Sequence, residues 1–213
     1  MNIKHHLNDQ LLMGYSTGTL PEAFNLVVAT HISLCDDCRA ALAGFDTVGG
    51  SVLEECDSVA MDPDALAATM ALIEVLQAEI AQAPKTGTVF PEPLRDYVGG
   101  DLSAVKWRSV GGGVRQAILP TSKDATVRLI SIPPGASAPD HGHNGVELTL
   151  VLQGAFCDEH DRFARGDIEV ADEEMHHTPV AEAGVDCICL TATDAPLKFN
   201  ALLPRLAQTF MRI

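Results

Sequence analysis

Gly135-Ala-Ser-Ala-Pro-Asp-His141-Gly-His143-Asn-Gly-Val-Glu147-Leu-Thr-Leu-Val-Leu-Gln-Gly154 is the stretch on which the fold and the chemistry of this 213-residue chain turn. His141 and His143 are two apart, so on a β-strand both side chains point to one face, and Glu147 keeps the same parity. Two imidazoles and a carboxylate meeting in one interior suit zinc, manganese, iron, nickel or copper. The strands such an interior needs are legible around it. Short β-branched runs at Val105–Val110, Val114–Leu119, Thr126–Ile132, Val146–Leu152 and Val185–Leu190 are separated by Gly, Pro and Asp turns. That alternation predicts an antiparallel barrel or sandwich. Cys187 and Cys189, two apart on a predicted strand, share a face and are either core thiols or a redox pair. His160, between Glu159 and Asp161, reads as a solvated hairpin residue.

The spacing Gly135-x5-His141-x-His143-x3-Glu147-x6-Gly154 resembles the first signature of the cupin barrel at every defining position. Composition alone would produce those five residues at that spacing in about one chain in ten thousand. The second cupin signature, Gly-x5-Pro-x-Gly-x2-His-x3-Asn, is half present. Gly166 and His177 fit, while Asp172 stands for its proline, Glu174 for its second glycine and Ala181 for its asparagine. His177 falls on the ligand position and completes the quartet His141, His143, Glu147 and His177. His176 would face the other way on a strand, so a one-residue slip exchanges the two. The three departures weigh against carrying over enzymatic chemistry from catalytic cupins and leave the metal ligands in place.

Upstream the pattern changes. Pro84-Lys85-Thr86-Gly87-Thr88, Pro91-Glu92-Pro93 and Gly99-Gly100 form a run of breakers that disfavours helix and strand alike and predicts a linker. Before it, Leu66, Met70, Ile73, Leu76 and Ile80 recur at steps of three and four behind Asp62-Pro63, which predicts an amphipathic helix over roughly Pro63–Gln82. Another helix is predicted over Pro21–Phe45, with Gly44 and Gly49-Gly50 as its stops. It carries His31-x3-Cys35-x2-Cys38, three soft or borderline ligands about one turn apart on one helix face. Zinc takes four such ligands in a tetrahedron, and upstream of the linker only His5 and His6 remain as further histidines. A closed site of this kind is structural and would staple the amino-terminal segment to the helix. Cys56 reads as a buried thiol.

Composition narrows the function. With 46% apolar and 20% charged residues, the chain has the makings of a soluble fold with a core. Its 14 basic and 29 acidic residues leave a net charge of −15, which repels a phosphate backbone and excludes direct nucleic-acid binding. Residues 1–85 are the more acidic part for their length, with 12 acids against Lys4, Arg39 and Lys85. No apolar run approaches the ~20 residues of a membrane span. Met1–Gln10 has no apolar h-region behind it, so a cytoplasmic location is expected. In that reducing compartment, cysteines serve as ligands, reactive thiols or core rather than as disulfides.

A helical His-x3-Cys-x2-Cys region with a histidine upstream, joined to a cupin, resembles the ChrR-type zinc-binding anti-sigma factors over essentially the whole chain. The reading is then an α + β two-domain fold: a small all-helical zinc-binding anti-sigma domain at 1–85, a linker at 86–104, an antiparallel cupin-type β-barrel at 105–195 and a C-terminal segment at 196–213. The resemblance implies one zinc ion on His6, His31, Cys35 and Cys38 and a second on His141, His143, Glu147 and His177. It implies a 1:1 complex with a group IV sigma factor, kept off RNA polymerase and released under singlet oxygen or a related oxidant through the cupin-like domain. An acidic helical region suits the basic surfaces of such a partner. The stripe Leu66, Met70, Ile73 and Ile80 is either ordinary core or the apolar anchor for that partner. Of the two ions, the one in the closed Cys/His site is expected to resist chelation and the one in the barrel mouth to exchange. The rival expectation is a metal-dependent cupin enzyme, a dioxygenase or isomerase, which predicts turnover instead of a stoichiometric complex.

Overall fold

The computed structural model describes residues 2–80, 87–138 and 140–199. Helix α1 (Asp9–Ser16), which no sequence signal above marks, begins where the Asn8 side chain accepts the Leu11 N–H at 2.9 Å. Helix α2 (Glu22–Ile32) follows Pro21. The continuous helix expected over Pro21–Phe45 does not form. The His31 carbonyl accepts the N–H groups of both Leu34 and Cys35 at 2.9 Å, the chain turns, and α3 (Asp36–Glu54) starts afresh. Its cap is Cys35, in extended conformation, with Sγ accepting the Cys38 N–H at 3.4 Å, and Asp36 and Asp37 in the first turn suit the positive end of the helix dipole. Helix α3 runs through Gly44, Gly49 and Gly50, because glycine permits a stop without forcing one.

The stripe-bearing helix is α4 (Ala65–Ile80), and every residue from Leu66 to Glu74 is exposed. Gln82 and the side chain of Ile80 lie outside the described residues. Residues 86–104, whose prolines and glycines predict a linker, contain α5 (Glu92–Val98) and a 3-10 turn at Leu102–Ala104. The prolines do not prevent the helix because Pro91 caps it and Pro93 sits in its first turn, where N–H groups have no helical acceptor. Gly99, at φ 78°, ends it.

Twelve strands follow among the described residues: β1 (Arg108–Gly111), β2 (Val114–Leu119), β3 (Thr126–Ile132), β4 (His141–Gly142), β5 (Glu147–Gln153), β6 (Ala155–Cys157), β7 (Arg162–Ala164), β8 (Ile168–Ala171), β9 (His176–His177), β10 (Val180–Ala181), β11 (Cys187–Thr193) and β12 (Lys198–Phe199). They form a six-stranded sheet, β1-β2-β3-β11-β5-β8, and two three-stranded sheets, β10-β6-β7 and β12-β4-β9, with every pairing antiparallel. Of the expected C-terminal segment, residues 200–213 lie outside the described residues.

Strand parity divides the large sheet. Leu129, Leu148, Leu150, Leu152 and Leu190 point to one face and join Phe24, Val27 and Val28 of α2, with Phe90 and Leu94 completing the same apolar cluster. Each fully buried side chain of this kind contributes ~1.5–3 kcal/mol. The opposite face carries Ile132, Val151, Cys187 and Cys189, which pack with Phe156, Phe163 and Ala181 of the smaller sheets to line the interior. The antiparallel cupin-type architecture is therefore present, with α2 and α5 clamped to its outer face.

Candidate metal centres

The first centre lies at the α2–α3 junction. His31 is in the last turn of α2, Cys35 caps α3 and Cys38 is in its first turn, so three ligands converge across a turn and not along one helix. His31 Nε2 is 3.2 Å from Cys38 Sγ, and His6 Nδ1 is 3.2 Å from Cys35 Sγ. The ligand atoms of His6, His31, Cys35 and Cys38 all lie within 4.8 Å of one another. Burial lowers His31 to about 4, which keeps it a neutral ligand, and raises the Cys38 thiol to about 11. A buried imidazole that turns its Nε2 to two buried sulfurs fits a thiophilic divalent cation that draws the thiols into thiolate form. His5 turns elsewhere: its Nε2 is 3.0 Å from Asp161 and its ring lies 4.3 Å from that of Phe163.

The second centre is inside the barrel. His141 pairs with His177 across β4 and β9, so both face inward with their Nε2 atoms 3.2 Å apart. His176, paired with Gly142, is exposed, and its ring occupies the space a Cβ on Gly142 would need, the nearest atom being 2.4 Å away. His143 follows β4, and Glu147 opens β5. The ligand atoms of His141, His143, Glu147 and His177 also lie within 4.8 Å of one another, and all four residues are buried. Burial lowers His143 to about 4, and neither of its ring nitrogens has a hydrogen-bond partner. Burial, reinforced by Glu169, raises Glu147 to about 7. A neutral His143 with both ring nitrogens unpartnered, facing His141, His177 and a Glu147 carboxylate whose hydrogen bond comes from Thr149, fits a divalent cation. The shielding expected from the sequence is reversed, since His6 of the first centre is exposed while the barrel quartet is enclosed.

Two residues given no role by the sequence complete this site. Asp158 and Glu169 each place a carboxylate oxygen 3.1 Å from His177 Nδ1. Burial opposes charge on His177, but the two carboxylates outweigh it and push the imidazole up to about 9. They hold the Nδ1 proton and leave Nε2 for the quartet, the usual support for a metal-binding histidine. Glu169 carries a sequence signal, a lone charge flanked by Ile168 and Val170 on a strand; Asp158 sits in an acidic hairpin and carries none. Cys187 and Cys189 are both buried, with their sulfurs 3.7 Å apart. Cys56, expected to be buried, is exposed. His160 is exposed as expected.

One strand touches both centres. Asp167, just before β8, accepts the N–H groups of Lys4 at 2.6 Å and His5 at 3.1 Å, which fixes the segment carrying His6. Two residues on, Glu169 reaches inward to His177. No helix among the described residues is long and apolar enough to cross a membrane.

Residues 96–196 match the family described as the ChrR cupin-like domain. The anti-sigma-E factor ChrR of Cereibacter sphaeroides is 59% identical over 213 residues, all of both chains. The crystal structure of Rhodobacter sphaeroides SigE in complex with the anti-sigma factor ChrR is similar with a TM-score of 0.78 and 57% identity, covering 91% of this chain and 100% of that one. With identity of that order over its whole length, this chain belongs to the ChrR family of anti-sigma factors.

Proposed function

We propose that the chain sequesters a group IV sigma factor in a 1:1 complex away from core RNA polymerase. The proposal includes release of the partner when the cupin-like domain responds to singlet oxygen or a related oxidant. The observation that carries this reading is the full-length likeness to a named anti-sigma factor, 59% identical, together with the SigE complex of a 57% identical chain. It makes the protein a regulator and not an enzyme, acting in the cytoplasm.

Partner binding is assigned to residues 1–85 and sensing to the barrel. Among the described side chains of the stripe, Leu66 and Met70 of α4 are 73% and 50% exposed, and Ile73 is exposed too, which supports the anchor reading over the core one. An uncovered apolar surface of this kind marks an interaction site. Zinc is assigned to both centres, on His6, His31, Cys35 and Cys38 and on His141, His143, Glu147 and His177. The first ion would staple the amino-terminal segment to the α2–α3 junction, and the second would lock the four barrel ligands together. Cys187 and Cys189 are the candidate thiols for oxidation.

The test is to mix the purified chain with the sigma factor. A single 1:1 species by light scattering and loss of transcription from the sigma factor's promoter are expected. The His177→Ala chain should still inhibit but fail to release its partner in cells exposed to singlet oxygen. Failure to form the complex would sink the reading.

A further inference from the structure

Arg128 stands on the inner face of β3. It is 3% exposed, and its Nε and Nη1 have no hydrogen-bond partner. No carboxylate among the described residues forms an ion pair with it, whereas Arg39, Arg115 and Arg162 each have one. A guanidinium cannot escape burial by losing its proton, so an enclosed one needs an anion. Glu147 is near enough to act on it electrostatically but takes its hydrogen bond from Thr149 and forms no ion pair with Arg128.

The surroundings describe what would fit. Across the sheet, Arg128 pairs with Thr191, Thr191 with Thr149 and Thr149 with Glu169, forming a polar rung. The two threonine hydroxyls are 3.3 Å apart, and Thr149 Oγ1 also donates to Glu147 at 3.3 Å. The next rung on the same face is Ile130, Cys189 and Val151, an apolar floor. A guanidinium above an apolar floor suits a planar carboxylate with a short apolar body. A dianion such as phosphate is disfavoured, because Glu147 and Glu169 already bring negative charge to this interior.

We propose that the barrel interior is a receptor for a small monocarboxylate, with Arg128 as its charge anchor. This site adjoins the metal quartet, since Thr149 also donates to Glu147 and Glu169 holds His177, and it does not rest on the partner reading.

Propionate is the probe, with chloride at equal ionic strength as the control, on the full-length metal-loaded chain. Calorimetry should give saturable 1:1 binding of propionate, and the melting temperature should rise with propionate and not with chloride. Arg128→Met should weaken binding at least tenfold and should melt higher than the natural chain in chloride, because it removes a buried cation that lacks a partner. Arg128→Lys keeps the charge without the fork and should bind with intermediate affinity, which covers the case in which the methionine chain does not fold. The proposal is overturned by equal responses to chloride and propionate, by no saturable response to propionate, or by full propionate binding in either variant. It is also overturned if Arg128→Met melts lower in chloride, which would make Arg128 a structural counter-charge to Glu147.

Discussion

The two centres are built from opposite materials. Three ligands of the first come from eight consecutive residues, His31 to Cys38, folded around one turn, and the fourth arrives from an exposed amino-terminal segment. The four ligands of the second are spread over residues 141–177, three on strands and His143 just after one, and are buried by the barrel. A short-range site is legible in sequence and leaves one side open, whereas a long-range site exists only when the sheet has closed. Only the first has its sulfurs and imidazoles at a helix junction, where losing the metal would also release the segment held by His6.

The largest expected effect follows from that dependence. Cys35→Ser should cost on the order of 10 kcal/mol of metal-coupled folding at the first centre. Metal analysis should then find one equivalent lost and the barrel's retained; two equivalents in the variant would remove the distinction between the centres. Next, Phe90→Ala should cost ~3–5 kcal/mol by opening a cavity where α2, α5 and the sheet meet. Chemical denaturation measures it, and a loss below ~1 kcal/mol would mean that helices and barrel have independent cores.

Met70→Asp sharpens the contrast from the partner's side. It should weaken the sigma complex by ~2 kcal/mol or more while leaving stability within ~0.5 kcal/mol, since α4 buries nothing at this position. A matching fall in melting temperature would return the stripe to the core. Glu169→Gln should lower the barrel's metal affinity by about 10-fold without touching the first centre, because His177 loses one of its two orienting carboxylates and keeps Asp158. Competition with a metallochromic chelator reads this.

Asp167→Asn should have the smallest effect, about 1 kcal/mol, because an acceptor oxygen remains for Lys4 and His5. Burial works against the Asp167 carboxylate, but the N–H groups of Ala164, Lys4 and His5 hold it below the usual range. Its contribution is therefore present above about pH 4 and lost as pH falls through the lowered folded value. The variant should show a shallower acid limb in stability against pH; an unchanged limb would mean that Asp167 does not tie the two centres together.

The longer strands match well. Val114–Leu119 and Thr126–Ile132 coincide with β2 and β3, since apolar and β-branched runs of six or seven residues bounded by Gly, Pro and Asp turns mark a strand even where both faces are buried. Strands β4, β9 and β10 are two residues long and have no period to detect, although the first two carry three of the barrel histidines and their neighbour Gly142. The Pro21–Phe45 helix fails at Cys35 because His-x3-Cys-x2-Cys places its ligands together in a helix or around a capped turn, and spacing alone does not separate them. Helix α5 escapes detection because a proline at the cap and another in the first turn look like a break.

Sequence alone determined the residue types and spacings of both centres and the amphipathic stripe of α4. These are properties of the 2.0- and 3.6-residue periods, which any few neighbouring residues express. The single-strand parity expected to join Glu147 to the histidines does not apply, because the chain turns between β4 and β5. Only the tertiary structure decided that His6 approaches the sulfurs while His5 stacks on Phe163, that His177 points inward and His176 out, and that Asp158 and Glu169 meet on one imidazole. It also decided that the barrel quartet is the better enclosed of the two, and that Arg128 is buried without a partner for Nε or Nη1. Burial and pairing of this kind depend on which distant segments meet when the sheet closes and the helices clamp onto it, and no local period encodes that.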